Sequence, residues 1–440
     1  MGNYYVTDAE MTSVANVIRT VGGTSAPLTW PSEYISAIEE LGGTGYGAED
    51  DIITKQLSGS YRNPRVSSIG SGMFSDFEYL ESADFPEVTT IGSAAFSFCS
   101  ALTTVNFPRA ITINDGAFYS CPVLTTGSFP VATTIRDTAF DTCKALTSAI
   151  FPAATSIGRG AFRSCSALTT VSFPNVTSIG SSAFYSCTSL NSASFPVATD
   201  IKDYTFYSCA ALSTVDFPSA SYVGSNAFER CTSLTNIIFP AVTRISNMAF
   251  RFCSALTSVS FPSAITIGSS AFYSCTALNT ASFSSVETIF TAAFAYCYSL
   301  STADFPRATT ISDSAFAYCS GLTSISSPKA LTVGSWAFNS CVALTSGSFP
   351  KVTSIKTSAF AYCYRLASLY LLGSSRATLG ASTTFGQTPI GGYSFYTGVY
   401  GSIFVRASML ESWQTATNWT YFSSRFVGLT DEEIEALDQA

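Results

Sequence analysis

The sequence predicts a repeat solenoid: a stack of coils made of short parallel strands, turns and single-turn helices, capped at both ends and preceded by a small helical module. Three observations predict it. A phrase of 22 residues returns fourteen times without insertion or deletion, its marker Phe falling at every twenty-second position from Phe74 to Phe360. All thirteen cysteines stand three residues after that Phe, from Cys99 to Cys363, and Phe77 takes the slot in the first copy. The composition is 47% hydrophobic and only 11% charged, as expected of a chain in which every repeat turns one face inward. Self-similarity at a fixed short period is the signature of stacked repeats, each too small to bury its own apolar face.

The letters of one unit predict its coil. "LTTVSFP", residues 168–174, alternates apolar and small polar residues, as a strand with one buried face does. Pro174 stops the strand because it lacks the N–H that a ladder needs. "VTSIG" returns an apolar Ile179 to the core, and Gly180 permits a tight turn. "SSAFYSC" puts Phe184 and Cys187 at i and i+3, one face of a single helical turn. Each coil should carry about six inward residues. Fourteen coils stacked at ~4.8 Å should form a rod or shallow arc about 65 Å long.

The unit "I-G-x-x-A-F-x-x-C-x-x-L-x-x-V-x-F-P" resembles the BspA-like leucine-rich repeats over roughly residues 57–390. This resemblance implies a leucine-rich-repeat solenoid and a binding role, the family being found in bacterial surface adhesins, parasite surface proteins and phage proteins. The solenoid is assigned to residues 55–390. It begins with "KQLSGSYRNPRVSSIGSGMF" (55–74) and ends in a degenerate fifteenth rung that keeps Leu366, Leu369, Leu371 and Phe385 but replaces the Cys by Thr.

Residues 391–440 are expected to form an α/β cap. A strand at Ile403–Val405 precedes a helix carrying Met409, Leu410 and Trp413. Trp419, Phe422 and Phe426 can cover the open end of the core, and the acidic "LTDEEIEALDQA" should be a short helix capped by Thr430 with Glu433 three residues on. At the other end, residues 1–41 hold two stretches of helical spacing, followed by a Gly-rich linker at 42–54. Val14, Ala15, Ile18, Arg19, Gly22, Gly23, Thr24, Ser25, Leu28, Pro31, Ala37 and Ile38 make this segment similar to a short module of tail- and baseplate-linked proteins of phages and prophages. The similarity implies attachment to such proteins through residues 1–41.

Several chemistries are disfavoured. The chain has no histidine, which removes the commonest general base, metal ligand and partner of a nucleophile. Cysteines 22 residues apart lack metal-site clustering, so we expect a buried column of free thiols, no metal and no cofactor. Asp84, Asp216 and Asp304 precede the "FP" Phe on the outer strand face, but six and four rungs separate them, about 29 and 19 Å, against the ~5–10 Å of paired catalytic carboxylates. No catalytic residue is assigned. A net charge of −8 argues against nucleic acid, no apolar run is long enough to insert in a membrane, and no secretory signal is evident at residues 1–18.

The candidate binding face is aromatic. One of the two positions after the marker Phe often carries a ring, and never both together: Phe98, Tyr119, Tyr185, Tyr207, Phe252, Tyr273, Tyr296, Tyr318 and Tyr362. Arg163, Glu229, Arg230 and Arg251 interrupt the series. As a structural feature the stripe would simply flank the core. As a functional one it could stack on sugar faces or a partner chain. The expected binding residues are Tyr119, Arg163, Tyr185, Tyr207, Arg251, Tyr273, Tyr296, Tyr318 and Tyr362. The expected partners are a glycan or protein receptor on a host surface and phage tail proteins, with homo-oligomers possible and the virion as location. A bacterial surface adhesin is the alternative.

Overall fold

The computed structural model describes residues 58–392 and 400–438. The expected attachment module at 1–41 and linker at 42–54 lie outside the described residues. The chain divides into two compact units, Met1–Ala198 with Ser208–Asp216, and Thr199–Tyr207 with Phe217–Ala440. Each is a parallel-strand solenoid. In the first, an eight-stranded sheet runs from Gly59–Arg62 to Thr214–Asp216, and a six-stranded sheet of two-residue strands from Ser68–Ile69 to Ser178–Ile179. The second has two nine-stranded sheets, one spanning Asp200–Ile201 to Thr378–Leu379 and one spanning Asn236–Ile238 to Phe426–Leu429.

The 22-residue period appears directly as register. Thr170–Ser172 pairs in parallel with Ser192–Ser194, and Ser156–Ile157 with Ser178–Ile179. In the second unit Ser258–Ser260 pairs with Thr280–Ser282 in the same way. The abundant Ser and Thr just before the strands also have a cause. Thr125, Thr147 and Thr169 each donate their hydroxyl to the carbonyl 22 residues back, at 3.0, 3.2 and 3.3 Å. The same carbonyls accept the backbone N–H of those residues, so the hydroxyl fills a second lone pair that would otherwise face water.

Each coil buries more than the six residues expected. In the coil from Ala161 to Ile179 the core side chains are Ala161, Phe162, Cys165, Leu168, Val171, Phe173, Val176 and Ile179, all 5% exposed or less. The marker Phe rings form one column, Phe140 to Phe162 to Phe184, with centroids 5.3 and 5.4 Å apart and planes within 1°. The "FP" rings form a second, such as Phe129 to Phe151 at 5.3 Å, tilted 61° against the first at Phe140–Phe151. Both geometries are favoured by the aromatic quadrupole.

The cysteines are free and buried in all thirteen copies. Each Sγ–H donates to the backbone carbonyl of the marker Phe 25 residues earlier, at 3.0–3.2 Å. The thiol is a small core hydrophobe that also supplies a weak donor. Phe77 fits the same logic. It holds the slot in the first copy, which has no earlier marker Phe to cap, and packs edge-on to Phe74 at 5.6 Å. In the degenerate rung Thr388 is buried in the slot, but its hydroxyl turns to its own Phe385 carbonyl at 2.7 Å.

The expected single helical turn is replaced by two turns. Residues 181–186 form no helix, and Ser182 and Ser186 take left-handed φ values of 59° and 56°. Every coil repeats this at the positions two before and two after the marker Phe. The cause is the neighbouring coil. Phe162 and Ser164 donate their N–H groups across to Ala183 and Tyr185 carbonyls at 2.8 and 2.7 Å, whereas a helix would aim all its donors along its own axis. Alternating handedness turns every second N–H outward. Phe184 and Cys187 still share the buried side.

Gly180 sits at a close approach between coils. A Cβ there would lie 2.4 Å from the backbone of Gly158 and Arg159. Gly180→Ala is therefore expected to destabilise the first unit by ~1–3 kcal/mol, because the obstruction is backbone and cannot rotate away. Urea unfolding with an unchanged midpoint would contradict this.

At the C-terminal end the described residues form a strand, a short helix, a 3-10 segment and a final helix. Ser402–Arg406 continues the sheet, Leu410–Gln414 is helical, and Trp413 and Trp419 meet edge to face at 5.1 Å. Phe422 packs on Phe385 at 5.2 Å and Trp419 donates its Nε1–H to the Ala377 carbonyl at 2.8 Å. The helix Asp431–Asp438 has the predicted capping box: Thr430 N–H reaches Glu433 Oε2 at 2.8 Å, and Glu433 N–H reaches Thr430 Oγ1 at 3.3 Å.

Candidate binding face

The two positions after the marker Phe lie on the outer turn, and their backbone sorts them. The second of the two is left-handed in every copy, holding Phe98, Phe252, Tyr296, Tyr318 or Tyr362 in some coils and Ser in most others. Where a ring stands in the second place, the first holds Ser97, Arg251, Ala295, Ala317 or Ala361; where Tyr119, Tyr185, Tyr207 or Tyr273 stands first, the second is Ser. Adjacent rungs are separated by about one ring thickness, which leaves room for one ring per coil.

In the first unit the stripe is sparse. Tyr119 is half-buried and edge-on to Phe98 at 5.2 Å. Arg163 stands exposed with its guanidinium 5.9 Å from the Tyr185 ring centre and 3.9 Å from the buried Asp141 carboxylate. Burial pushes the Asp141 carboxyl above its ordinary range, and Arg163 only partly restores it.

In the second unit the stripe is continuous over several coils. Arg251 lies between Phe252 at 4.5 Å and Tyr273 at 5.2 Å, with Arg230 on Phe252 at 5.3 Å. Tyr273 continues to Tyr296 at 5.0 Å, and Tyr296 stacks on Tyr318 at 4.6 Å with planes 7° apart. Beneath the arginines Glu229 is buried, 3.6 Å from Arg251 and 4.0 Å from Arg230 and hydrogen-bonded to Asn226. A buried carboxylate paired in this way fixes the cations that cover it. Tyr207 packs against Tyr204 at 5.8 Å, and Tyr362 against Tyr364 at 6.4 Å.

Of the expected residues, the structure thus brings Arg251, Tyr273, Tyr296 and Tyr318 into one ladder, and pairs Arg163 with Tyr185. Tyr119, Tyr207 and Tyr362 each contact a different ring. Sequence reasoning missed Tyr204, Tyr298, Trp336 and Tyr364. Two of these were legible in the doubled motif "AYCY" at 295–298 and 361–364, where the ring after the Cys meets the ring before it. The three aspartates do not converge: Asp84 pairs with Arg62 at 2.7 Å and Asp216 accepts from Ser194 at 3.0 Å, while Asp304 ends an exposed strand.

A concavity of about 300 Å³ lies between the strand-face rings Tyr370 and Phe404 and the residues Leu429, Glu433 and Leu437. Its one carboxylate is already used in the helix cap. Among the described residues no three His, Cys, Asp or Glu side chains cluster to hold a metal, and no helix is long and apolar enough to cross a membrane.

Comparison with known proteins fits this architecture. The family model "BspA type Leucine rich repeat region (6 copies)" matches residues 57–147, 133–257 and 243–367. A leucine-rich repeat protein from Bacteroides ovatus is similar at 25% identity, covering 73% of this chain and 91% of that one with a TM-score of 0.60. A leucine rich cell surface protein from Faecalibacterium prausnitzii has 24% identity over 73% of this chain and 88% of that one, with a TM-score of 0.34. No curated protein sequence matches. The family is a repeat scaffold for interactions, with no enzymatic family indicated, and both the matched residues and the coil geometry place this chain in it: the protein belongs to the BspA type leucine-rich repeat family.

Proposed function

We propose that the protein is a non-enzymatic receptor-binding protein whose contact surface is the ring and guanidinium ladder of the second unit, directed at a glycan or protein on a host cell surface. The observation that carries this reading is the run from Arg230 through Arg251, Phe252, Tyr273 and Tyr296 to Tyr318, held from beneath by Glu229. Aromatic rings and arginines are the side chains that most often anchor interfaces. Repetition across coils lets weak contacts add as avidity. The resemblance of residues 1–41 to tail-linked modules supports attachment to a phage tail, with the solenoid as the host-facing part of a virion. The adhesin reading is favoured instead by the family itself, which resembles surface adhesins, and it would use the same ladder.

The test is cosedimentation of the purified chain with bacterial cell envelopes. Phe252→Ser/Tyr273→Ser should lose binding by at least ~10-fold, two anchors of ~1 kcal/mol or more each being removed. Ser already occupies both positions in other copies, at Ser97 and Ser274, so the fold should be kept. Undiminished binding would return the ladder to a packing role.

A further inference from the structure

The ladder has a gap, and we infer that the gap is a binding slot for one pyranose unit of a neutral glycan; this rests on the ladder being the contact surface. Tyr318, Ser340 and Tyr362 occupy the same slot in three successive coils, with φ of 62°, 60° and 61°. Tyr318 N–H bonds to the Asn339 carbonyl at 2.7 Å and Ser340 N–H to the Ala361 carbonyl at 2.9 Å, so the three coils step evenly. The middle one carries only a hydroxymethyl group. Tyr318 and Tyr362 are 41% and 47% exposed on either side of it.

The two walls stand on the same left-handed backbone position. Tyr362 meets Tyr364 at 6.4 Å and 78°, nearly repeating the 6.2 Å and 88° of Tyr296 on Tyr298. Tyr296 in turn lies within 7° of Tyr318. Tyr362 and Tyr296 thus share both the backbone position and the contact with the ring two residues on.

The spacing selects the guest. Two coil steps separate the ring planes by ~9.6 Å. A carbon contact of ~3.8 Å at each face leaves ~2 Å for the guest's own thickness. That is too much for a planar ring and suits a puckered saturated ring, whose C–H faces pack on aromatic rings. The floor offers hydrogen bonds without charge: Ser340 Oγ pairs with Asn339 Oδ1 at 3.0 Å. Trp336, 53% exposed, precedes Ser340 by four residues, and Val342, 37% exposed, follows it by two. Lys356 and Asp313 pair with each other at 3.7 Å. An uncharged floor between two rings fits a neutral sugar better than an acidic one.

The experiment uses the full chain on an array of neutral hexose and N-acetylhexosamine oligosaccharides, with sialylated and uronic acid glycans and a proline-rich peptide as further arms. Wild type should be retained on neutral glycans. Ser340→Tyr, which completes the ladder with the residue both neighbours carry, should lose retention by at least 10-fold with an unchanged thermal melt. Tyr362→Ser, which removes one wall, should lose it as well. Tyr421→Ser, which removes an exposed ring outside the ladder, should leave neutral-glycan retention within 2-fold. The slot assignment is overturned if Ser340→Tyr binds as wild type does, if no neutral glycan is retained, or if the acidic glycans or the peptide are preferred. Envelope binding lost in Phe252→Ser/Tyr273→Ser but kept in Ser340→Tyr would sink the slot while leaving the ladder standing.

Discussion

Raising the pH from 8 to 11 is expected to unfold the protein cooperatively, with a slope far steeper than ordinary globular domains show. Burial pushes the thiols of Cys121, Cys143, Cys165, Cys187, Cys253, Cys275, Cys319 and Cys363 above their ordinary value, and that of Cys297 up to about 12. Cys99 is raised too, first by its bond with Cys121 and then by burial. Released by unfolding, each returns to ~8.5. The folded pKa is the higher one, so this stability is fully present below ~pH 8.5 and is lost as pH rises toward the folded value. Each thiol removes up to ~1.4 kcal/mol per pH unit in that window. Ten acting together exceed the usual ~5–15 kcal/mol of a folded domain within about one to two units. Circular dichroism against pH reads it directly. Replacing Cys253, Cys275, Cys297 and Cys319 by Ala should make the alkaline slope shallower by up to ~5 kcal/mol per pH unit. Retention of structure at pH 11, or an unchanged slope in that variant, would show that the thiols are not what alkali attacks.

The same column shows what a sequence reveals of such a fold and what it hides. The period, the strand ending at "FP", the buried Phe and Cys and the capping box at Thr430 and Glu433 were all legible, because each follows from local letters repeated in register. The two left-handed turns were not. Phe184 and Cys187 at i and i+3 look helical from within one coil, and only the next coil's carbonyls decide otherwise. The purpose of the thiol was hidden for the same reason, since its acceptor lies 25 residues away. The aromatic stripe was legible as a list of rings. The difference between paired and continuous rings was not, because it depends on the side each ring takes in the turn and on the buried Glu229 under two arginines.

One position in the second ring column breaks the pattern, and its repair and its imitation should have opposite effects. Phe261, Phe283 and Phe305 stack at 5.8 and 5.4 Å, and Phe349 resumes the series, but Ser327 stands between. Its backbone is that of its neighbours: Ser327 N–H bonds to the Ser348 carbonyl at 3.0 Å, as Phe283 N–H does to Asp304. The side chain is fully buried, and its hydroxyl has no hydrogen-bond partner. Ser327→Phe should therefore stabilise the second unit. Burying the ring contributes ~1.5–3 kcal/mol, and removing an unpartnered buried hydroxyl contributes a further ~1–3 kcal/mol. Against this stands ~1–3 kcal/mol of overpacking if neighbours have closed over the gap. The net expectation is a gain of about 2 kcal/mol, the middle of those opposing ranges. Phe305→Ser, which copies the defect into the adjacent coil, should cost ~4–8 kcal/mol through lost ring burial, the void and a second buried hydroxyl. The two sites lie side by side, so the double variant should not be additive. Moving the single defect from one coil to the next leaves one ring missing in either case, and it should land close to wild type. Urea unfolding of the four proteins decides it: a destabilised Ser327→Phe would mean the core has already closed around Ser327, and an additive double variant would mean the two coils do not share the ring column.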